Sequence, residues 1–486
     1  MVTGATWMVA LKIADNALGV VSTVVLARLL LPSDFGALAM AMSVIALLEL
    51  MAAFRFDVAI IQRSEVTRDH LDTAWTFNVM FGIAVGLLTY ALGAPAAAFY
   101  KEPRLEAIMH VLSLGWLAFG LENIGTVAFR KELDFSKEFL FSLSKRVAMF
   151  LATVPLAFAI RSYWALVIGV VVGKAISVVI SFVVHPYRPK LSLAASRDLF
   201  AFSAWLMVNN VLYFVNDRLS NFIIGRISGA QGLGTYNIAY EISCMPTVEL
   251  AAPINRAVFP GYSKLAADSK ALTEAFLNTT GLIALAAMPA GIGIAAIAHP
   301  LVVVVLGERW LDAVPLVAIL GIYGAIASLG TNTGYVFLAI GKPRLLTLLA
   351  GTRGLLLVPL LVTACVSAGP GGAAWALLAL EVIYRPLTFW VALRVLDAPW
   401  RDLLACLWRP IVASIPMGAC VWWVRMEITG YSSVSSLVEL AVAVAVGLAV
   451  YSASLWTLWW WAGFPRGSES GVLNRIKSMT IAREPA

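Results

Sequence analysis

Apolar residues in this chain run in blocks of about twenty, separated by short polar or glycine- and proline-rich breaks. The block "WALVIGVVVGKAISVVISFVV" from Trp164 to Val184 holds one charge, Lys174. About 20 such residues, wound as a helix, cross the ~30 Å hydrocarbon core of a bilayer. The breaks define roughly 14 segments: 5–27, 36–61, 74–98, 105–129, 138–160, 163–184, 199–225, 231–256, 271–297, 311–340, 345–366, 372–393, 405–424 and 434–461. The fold class predicted is all-α, a polytopic membrane protein of about 14 transmembrane helices.

The polar breaks also carry direction. Lys and Arg concentrate in alternate connections, as at Arg63, Arg68, Arg130, Lys131, Lys137, Arg188, Lys190 and Arg197, and in the C-terminal tail. The other connections hold few, among them Arg28, Lys101, Arg104, Arg161, Arg226, Arg309 and Arg425. This bias predicts that both termini are cytoplasmic, which an even helix count also requires. An internal repeat is visible at one offset. "ARLLLPSDFGALAMA" (27–41) aligns with "GRISGAQGLGTYNIA" (225–239), pairing Arg28 with Arg226, Gly36 with Gly234 and Ala41 with Ala239. The same offset pairs Trp7 with Trp205. Six helices separate the copies, so they point the same way, as in parallel transporter repeats. The expected organisation is an N-terminal six-helix bundle (1–184), a basic cytoplasmic linker (185–198), a C-terminal six-helix bundle (199–393), and two extra helices with a tail (394–486). The linker "HPYRPKLSLAASRD" reads as a topology anchor between the bundles, with lipid-headgroup contact as the alternative.

Composition narrows the function. The 486 residues are 60% hydrophobic and 13% charged, about half the charge of a soluble protein. The net charge of +7 sits between apolar spans, which suits membrane topology and not nucleic acid. Cys244, Cys365, Cys406 and Cys420 stand singly, and no metal-ligand spacing or cofactor motif appears. There is no GxxxxGK[ST] phosphate loop for ATP hydrolysis. The connections are too short to house a soluble catalytic domain.

The remaining signal is charge at membrane depth, where each ion is unfavourable by about 2.5–3.5 kcal/mol. Seventeen of the charges in the spans are candidates for such depth: Lys12, Arg55, Lys145, Arg146, Lys174, Arg218, Arg256, Arg353, Arg385, Asp15, Glu49, Asp57, Glu122, Asp217, Glu241, Glu249 and Glu381; fourteen of these precede residue 260. Arg55, Asp57 and Arg256 lie near helix ends and can snorkel. Glu381 and Arg385, four apart, are expected to pair. The others form stripes: Lys12 and Asp15 on the first helix, Lys145 and Arg146 on the fifth, and Lys174 above Ser177 and Ser181 on the sixth. Asn210, Tyr213, Asp217 and Asn221 share one face of the seventh helix, and Asn237, Glu241 and Glu249 one face of the eighth. Arg218 adjoins Asp217 but projects about 100° away, so only one of the two points squarely inward. This bias predicts a wet, partly cationic cavity; buried ion pairs that only lock helices are the competing picture.

These residues resemble the Wzx-like polysaccharide-unit flippases of the multidrug/oligosaccharidyl-lipid/polysaccharide exporter superfamily. The resemblance rests on Ala27-Arg28-Leu29-Leu30, Pro32 and Asp34-Phe35-Gly36, and on Ile223-Ile224-Gly225, Gly229, Leu233-Gly234, Tyr236 and Ala239. "RKELDF" (130–135), Pro253-Ile254 and Phe259-Pro260 extend it. It covers roughly residues 1–345. The resemblance implies two six-helix bundles opening alternately to either side in a bacterial inner membrane, and a short glycan on undecaprenyl diphosphate as cargo, destined for exopolysaccharide, capsule or lipopolysaccharide O-antigen. On this reading Lys12, Lys145, Arg146, Lys174 and Arg218 neutralise the headgroup, and Asn210, Tyr213, Asn221 and Asn237 contact hydroxyls. Asp15, Glu49, Asp217, Glu241 and Glu249 tune the cavity or carry a proton or sodium ion. Polysaccharide polymerase and chain-length proteins are the expected protein partners, with no cofactor. A lipid II flippase or a drug/cation antiporter of the same superfamily would share the fold. A non-catalytic membrane subunit of a polysaccharide synthase is the alternative from another class.

Overall fold

A computed structural model describes residues 2–51, 60–61, 66–132, 134–196, 211, 214–216, 218–429, 435–465, 467 and 469–470, without the side chains of 2–13, 15–16, 51, 135, 256 and 428–429. The described residues are overwhelmingly helical and contain no strand. They form two compact units, Met1–Thr235 and Tyr236–Ala486.

In the first unit the helices are α1 (Val2–Leu29), α2 (Pro32–Met51), α3 (Arg68–Ala91), α4 (Gly93–Tyr100), α5 (Arg104–Gly120), α6 (Val127–Lys131), α7 (Phe135–Ile160) and α8 (Trp164–Val184). Helix α9 (Leu219–Leu265) begins here and is broken at Gly229. The second unit continues with α10 (Ser269–Ala296), α11 (Ala298–Val305), α12 (Val314–Leu329), α13 (Thr331–Ala339), α14 (Pro343–Leu396), α15 (Trp400–Thr429) and α16 (Ser436–Trp461).

Among the described residues, nine helices are long and apolar enough to cross a bilayer, and ten if the bent pair around residue 122 is one span. The expectation of fourteen is therefore not reached by that measure. Part of the difference is fusion: α14 has 54 residues, about 80 Å of helix at 1.5 Å per residue. That is far more than one crossing, and Ala368 and Gly369 break it, with Gly369 at φ 57°, where a side chain would be strained. Outward-facing Val179 and Val183 on α8 and Leu355 and Val366 on α14 are exposed, as lipid-facing positions should be.

The repeated glycines meet. A Cβ on Gly36 would overlap the carbonyl oxygen of Ala230, and a Cβ on Gly234 would overlap that of Pro32. On the repeat offset Pro32 corresponds to Ala230 and Gly36 to Gly234. The contact is thus reciprocal, as a two-fold pair requires, and it tolerates nothing larger than glycine at either crossing.

Two local readings are corrected. The span 105–129 is not one helix: α5 stops at Gly120, and the chain bends by 65° before Ile124–Lys131. Gly120 packs against α3 so closely that a Cβ would lie 2.8 Å from the Asn78 carbonyl. Asn123 then accepts from the Gly125 amide and starts a 3-10 turn. Its side-chain amide donates to the carbonyl of Tyr187 at 2.8 Å, and its backbone amide donates to Ser181 Oγ at 3.0 Å.

The basic segment after α8 is also more than a tether. It lies along the first turns of α3, held by side chains buried there. Asp72 accepts from the Tyr187 hydroxyl and from the Lys190 amide, Thr76 from the Ser192 amide and Thr73 from the Ala195 amide. Burial first, then the Asp72 carboxylate, raises the Tyr187 phenol above its ordinary range. Burial lowers the neighbouring His185 imidazole.

Candidate functional site: a cation cluster at the α5 break

The bend after Gly120 turns Glu122 into the interior of the first unit, where α7 and α8 meet it. Lys145 Nζ on α7 lies 2.8 Å from Glu122 Oε1, and Ser177 Oγ on α8 donates to Glu122 Oε2 at 3.1 Å. Ser177 stands three residues after Lys174 and four before Ser181, so the three share one face of α8. Lys174 packs its ammonium 3.8 Å from the Trp116 ring centre and 5.5 Å from that of Phe119. Gly115 makes room for its stem: a Cβ there would sit 3.4 Å from Lys174 Cδ. Glu49 at the end of α2 lies within electrostatic reach of both Lys174 and Arg218, and Lys174 also feels Glu122. Arg218 and Glu49 are exposed, while Lys145 and Lys174 are half-buried. None of these charges is sealed from water.

Beside the cluster is a cavity of about 430 Å³. Asn78, Phe81 and Val85 of α3, Trp116 and Phe119 of α5, Glu122 and Asn123 at the break, Arg130 and Lys145 all line it. The arrangement offers three cations and two carboxylates at membrane depth, with aromatic faces alongside. Such a site can accept an anionic group from water without leaving it unpaired, because charge-assisted bonds replace hydration.

The structure thus brings together four of the residues expected from sequence: Lys145, Lys174, Arg218 and Glu49. Arg146 reaches toward α1, its Nη2 3.2 Å from where a Gly19 Cβ would stand. Asn221 is half-buried in the first unit, whereas Asn237, Glu241 and Glu249 belong to the second, with Glu241 exposed. Asn210, Tyr213 and Asp217, with the side chains of Lys12 and Asp15, lie outside the described residues. Glu122 stood among the deep charges without a role, because a continuous helix over 105–129 hid the break that aims it. Asn78, Trp116 and Phe119 gave no signal.

In the second unit, three groups of charges pair with little exposure, among them Glu381 and Arg385, whose pairing was expected. Arg385 and Arg353 both bind Glu381, the latter at 3.3 Å. Arg425 meets Glu439 at 3.1 Å. Arg409, within the span 405–424, is buried and holds Glu469 at 2.6 Å.

Comparison with known proteins agrees with the fold and sets the family. A solved structure titled lipid II flippase MurJ, inward closed conformation, superposes with a TM-score of 0.76 at 13% identity, covering 93% of this chain and 99% of its own. An inward-facing multidrug resistance MATE family transporter of the MOP superfamily gives a TM-score of 0.62 at 13% identity, over 79% of this chain and 94% of its own. The lipopolysaccharide biosynthesis protein WzxC of Escherichia coli K12 is 27% identical over 424 residues, 85% of each chain. The family model described as polysaccharide biosynthesis protein matches residues 25–315, more than half the chain. With a MOP-type transporter fold and that match, the chain belongs to the polysaccharide biosynthesis protein family.

Proposed function

We propose that this chain is a flippase that moves undecaprenyl-diphosphate-linked oligosaccharide units from the cytoplasmic to the outer leaflet by alternating access. Its product feeds exopolysaccharide, capsule or lipopolysaccharide O-antigen assembly. The observation that carries this reading is the half-exposed cluster of Lys145, Lys174 and Arg218 around Glu49 and Glu122. A diphosphate cannot cross hydrocarbon bare, and ammonium and guanidinium groups at membrane depth replace its hydration. The acids keep those cations solvated and separated when no cargo is bound, and Glu49 and Glu122 are the groups placed to carry a proton or sodium ion. Asn221 and Asn237 are proposed to contact glycan hydroxyls, and Glu241 and Glu249 to tune the cavity or carry a coupling ion. Both termini are cytoplasmic on the distribution of Lys and Arg. The names of WzxC and of the lipid II flippase support a lipid-linked, polyanionic cargo. An antiporter for drug cations would need acids in excess at this site, and here cations exceed acids.

The test is transport in vesicles containing only this protein, loaded with a labelled undecaprenyl-diphosphate oligosaccharide. Translocation is read as access of the label to a membrane-impermeant reagent. The reading predicts translocation above empty vesicles and loss of it on Lys174→Ala or Arg218→Ala. Rates equal to protein-free vesicles for the unaltered chain would overturn it.

A further inference from the structure

The cavity beside the break has a lining that a diphosphate does not explain. Phosphate needs cations, yet Glu122 projects a carboxylate into the same space and Phe81, Trp116 and Phe119 present aromatic carbon. An isoprenoid chain would gain nothing from an amide, a carboxylate and two cations. An aromatic drug cation would be opposed by Lys145 and Arg130. A pyranose ring fits all of them. Its hydroxyls both donate and accept, so amide, carboxylate and ammonium each find a match, and its C–H face packs on an aromatic ring as other apolar groups do. The volume, about 430 Å³, lies in the range of small-molecule sites, which combine mostly apolar walls with a few polar groups.

The polar lining divides into fixed and available groups. Asn123 is committed to the Gly125 amide and the Tyr187 carbonyl, and Thr126 donates back to the Asn123 carbonyl. They hold the break open. Asn78 is half-buried, and its side-chain amide makes no hydrogen bond among the described residues. Trp116 joins this space to the cation cluster, since it borders the cavity and its ring carries the Lys174 ammonium. A cargo whose diphosphate meets Lys174 therefore sets its sugar beside Trp116.

We propose that this cavity is a sugar subsite, in which Asn78 and Glu122 read the hydroxyls of a pyranose ring packed on Trp116 and Phe119. Export is thereby conditional on the glycan and not only on the diphosphate. The inference rests on the flippase reading above. The experiment compares two probes on the full chain in nanodiscs: bare undecaprenyl diphosphate, and undecaprenyl diphosphate carrying a hexose disaccharide. The unaltered protein should bind the glycosylated probe about tenfold more tightly, the effect of one or two well-placed polar contacts. Asn78→Leu should remove most of that preference while leaving affinity for the bare probe unchanged, and Phe119→Ala, beside the Lys174 ammonium, should weaken the glycosylated probe more than the bare one. Lys174→Ala should weaken both probes alike. The Phe119 ring is exposed, so its truncation decides the matter even where Asn78→Leu misfolds. Equal affinity of the unaltered protein for the two probes, or a preference that survives both substitutions, overturns the subsite while leaving the flippase intact. Binding of neither probe defeats both.

Discussion

Two charge clusters, one in each unit, hold their ions in opposite ways. In the first, Lys145 keeps 34% of its side chain exposed while paired with Glu122, and Glu49 and Arg218 are open to solvent. In the second, Glu381 is 1% exposed and lies between two guanidiniums, with the Arg385 side chain at 15% and Arg353 at 18%. Both arrangements offset the penalty for an ion in hydrocarbon, the first by water and the second by a partner. Only the first leaves its ions free to exchange water for cargo. Charge at membrane depth thus marks function only where it stays wet.

The largest effect expected from this contrast is in the second unit. Glu381→Ala strands two buried guanidiniums and should lower stability by about 3–5 kcal/mol. Thermal melting of the purified protein in detergent reads this directly. Replacing Glu381, Arg385 and Arg353 together by leucine should recover most of the loss, since removing one member of a buried ionic network is worse than removing all of it. A Glu381→Ala protein that melts normally yet fails to transport would move the working charge into the second unit and break the comparison.

Next comes the first unit, where the sign of the effect changes from stability to transport. Lys174→Met keeps the apolar stem over Trp116 and Phe119 but removes the ammonium. Its stacking contribution is about 0.5–2 kcal/mol, and the stem retains part of the packing, so the melting temperature should move little. Lipid-linked oligosaccharide translocation should fall by about tenfold, the loss of one charge-assisted contact to the headgroup. Equal losses of stability and transport would place Lys174 with the sealed pairs.

How far the sequence disclosed these features follows from what each depends on. Apolar blocks announce themselves, so the spans around α7, α8, α10 and α16 match the chain within a few residues. Gly36 and Gly234 were legible as matching positions of a repeat; that each lies against the backbone of the other copy was not. Lys145, Lys174, Arg218 and Glu49 stood out because ions are rare in such segments. Their convergence did not, because it needs the bend at Gly120–Asn123, and hydropathy reads straight through that bend. Glycine and asparagine interrupt many spans without breaking them; here the break comes from α3 pressing on Gly120 and from the Tyr187 carbonyl drawing in Asn123. Asn78, Trp116 and Phe119 were silent for a different reason, since such residues line ordinary helix interfaces. The docking of 185–195 on α3 depends on Asp72, Thr73 and Thr76, polar residues that are unremarkable until buried.

The smallest effect lies outside the membrane, where α7 begins and the first unit's cluster takes its anchor. Asp134 caps this helix: its carboxylate accepts from the Lys137 amide and the Ser136 hydroxyl and pairs with the Lys137 ammonium at 2.9 Å. The Lys137 contact first, then the Ser136 bond, holds the Asp134 carboxyl down at about 2, below the ordinary value near 3.9. A carboxyl depressed by folding stabilises the folded state above its unfolded pKa and stops doing so as pH falls through its folded one. The cap should therefore act fully from pH 8 down to about 5. Melting of Asp134→Asn against the unaltered protein should show a small, constant difference over that range, narrowing only in stronger acid. A difference that instead varied between pH 8 and 5 would mean that a group other than the cap holds the start of the helix that carries Lys145.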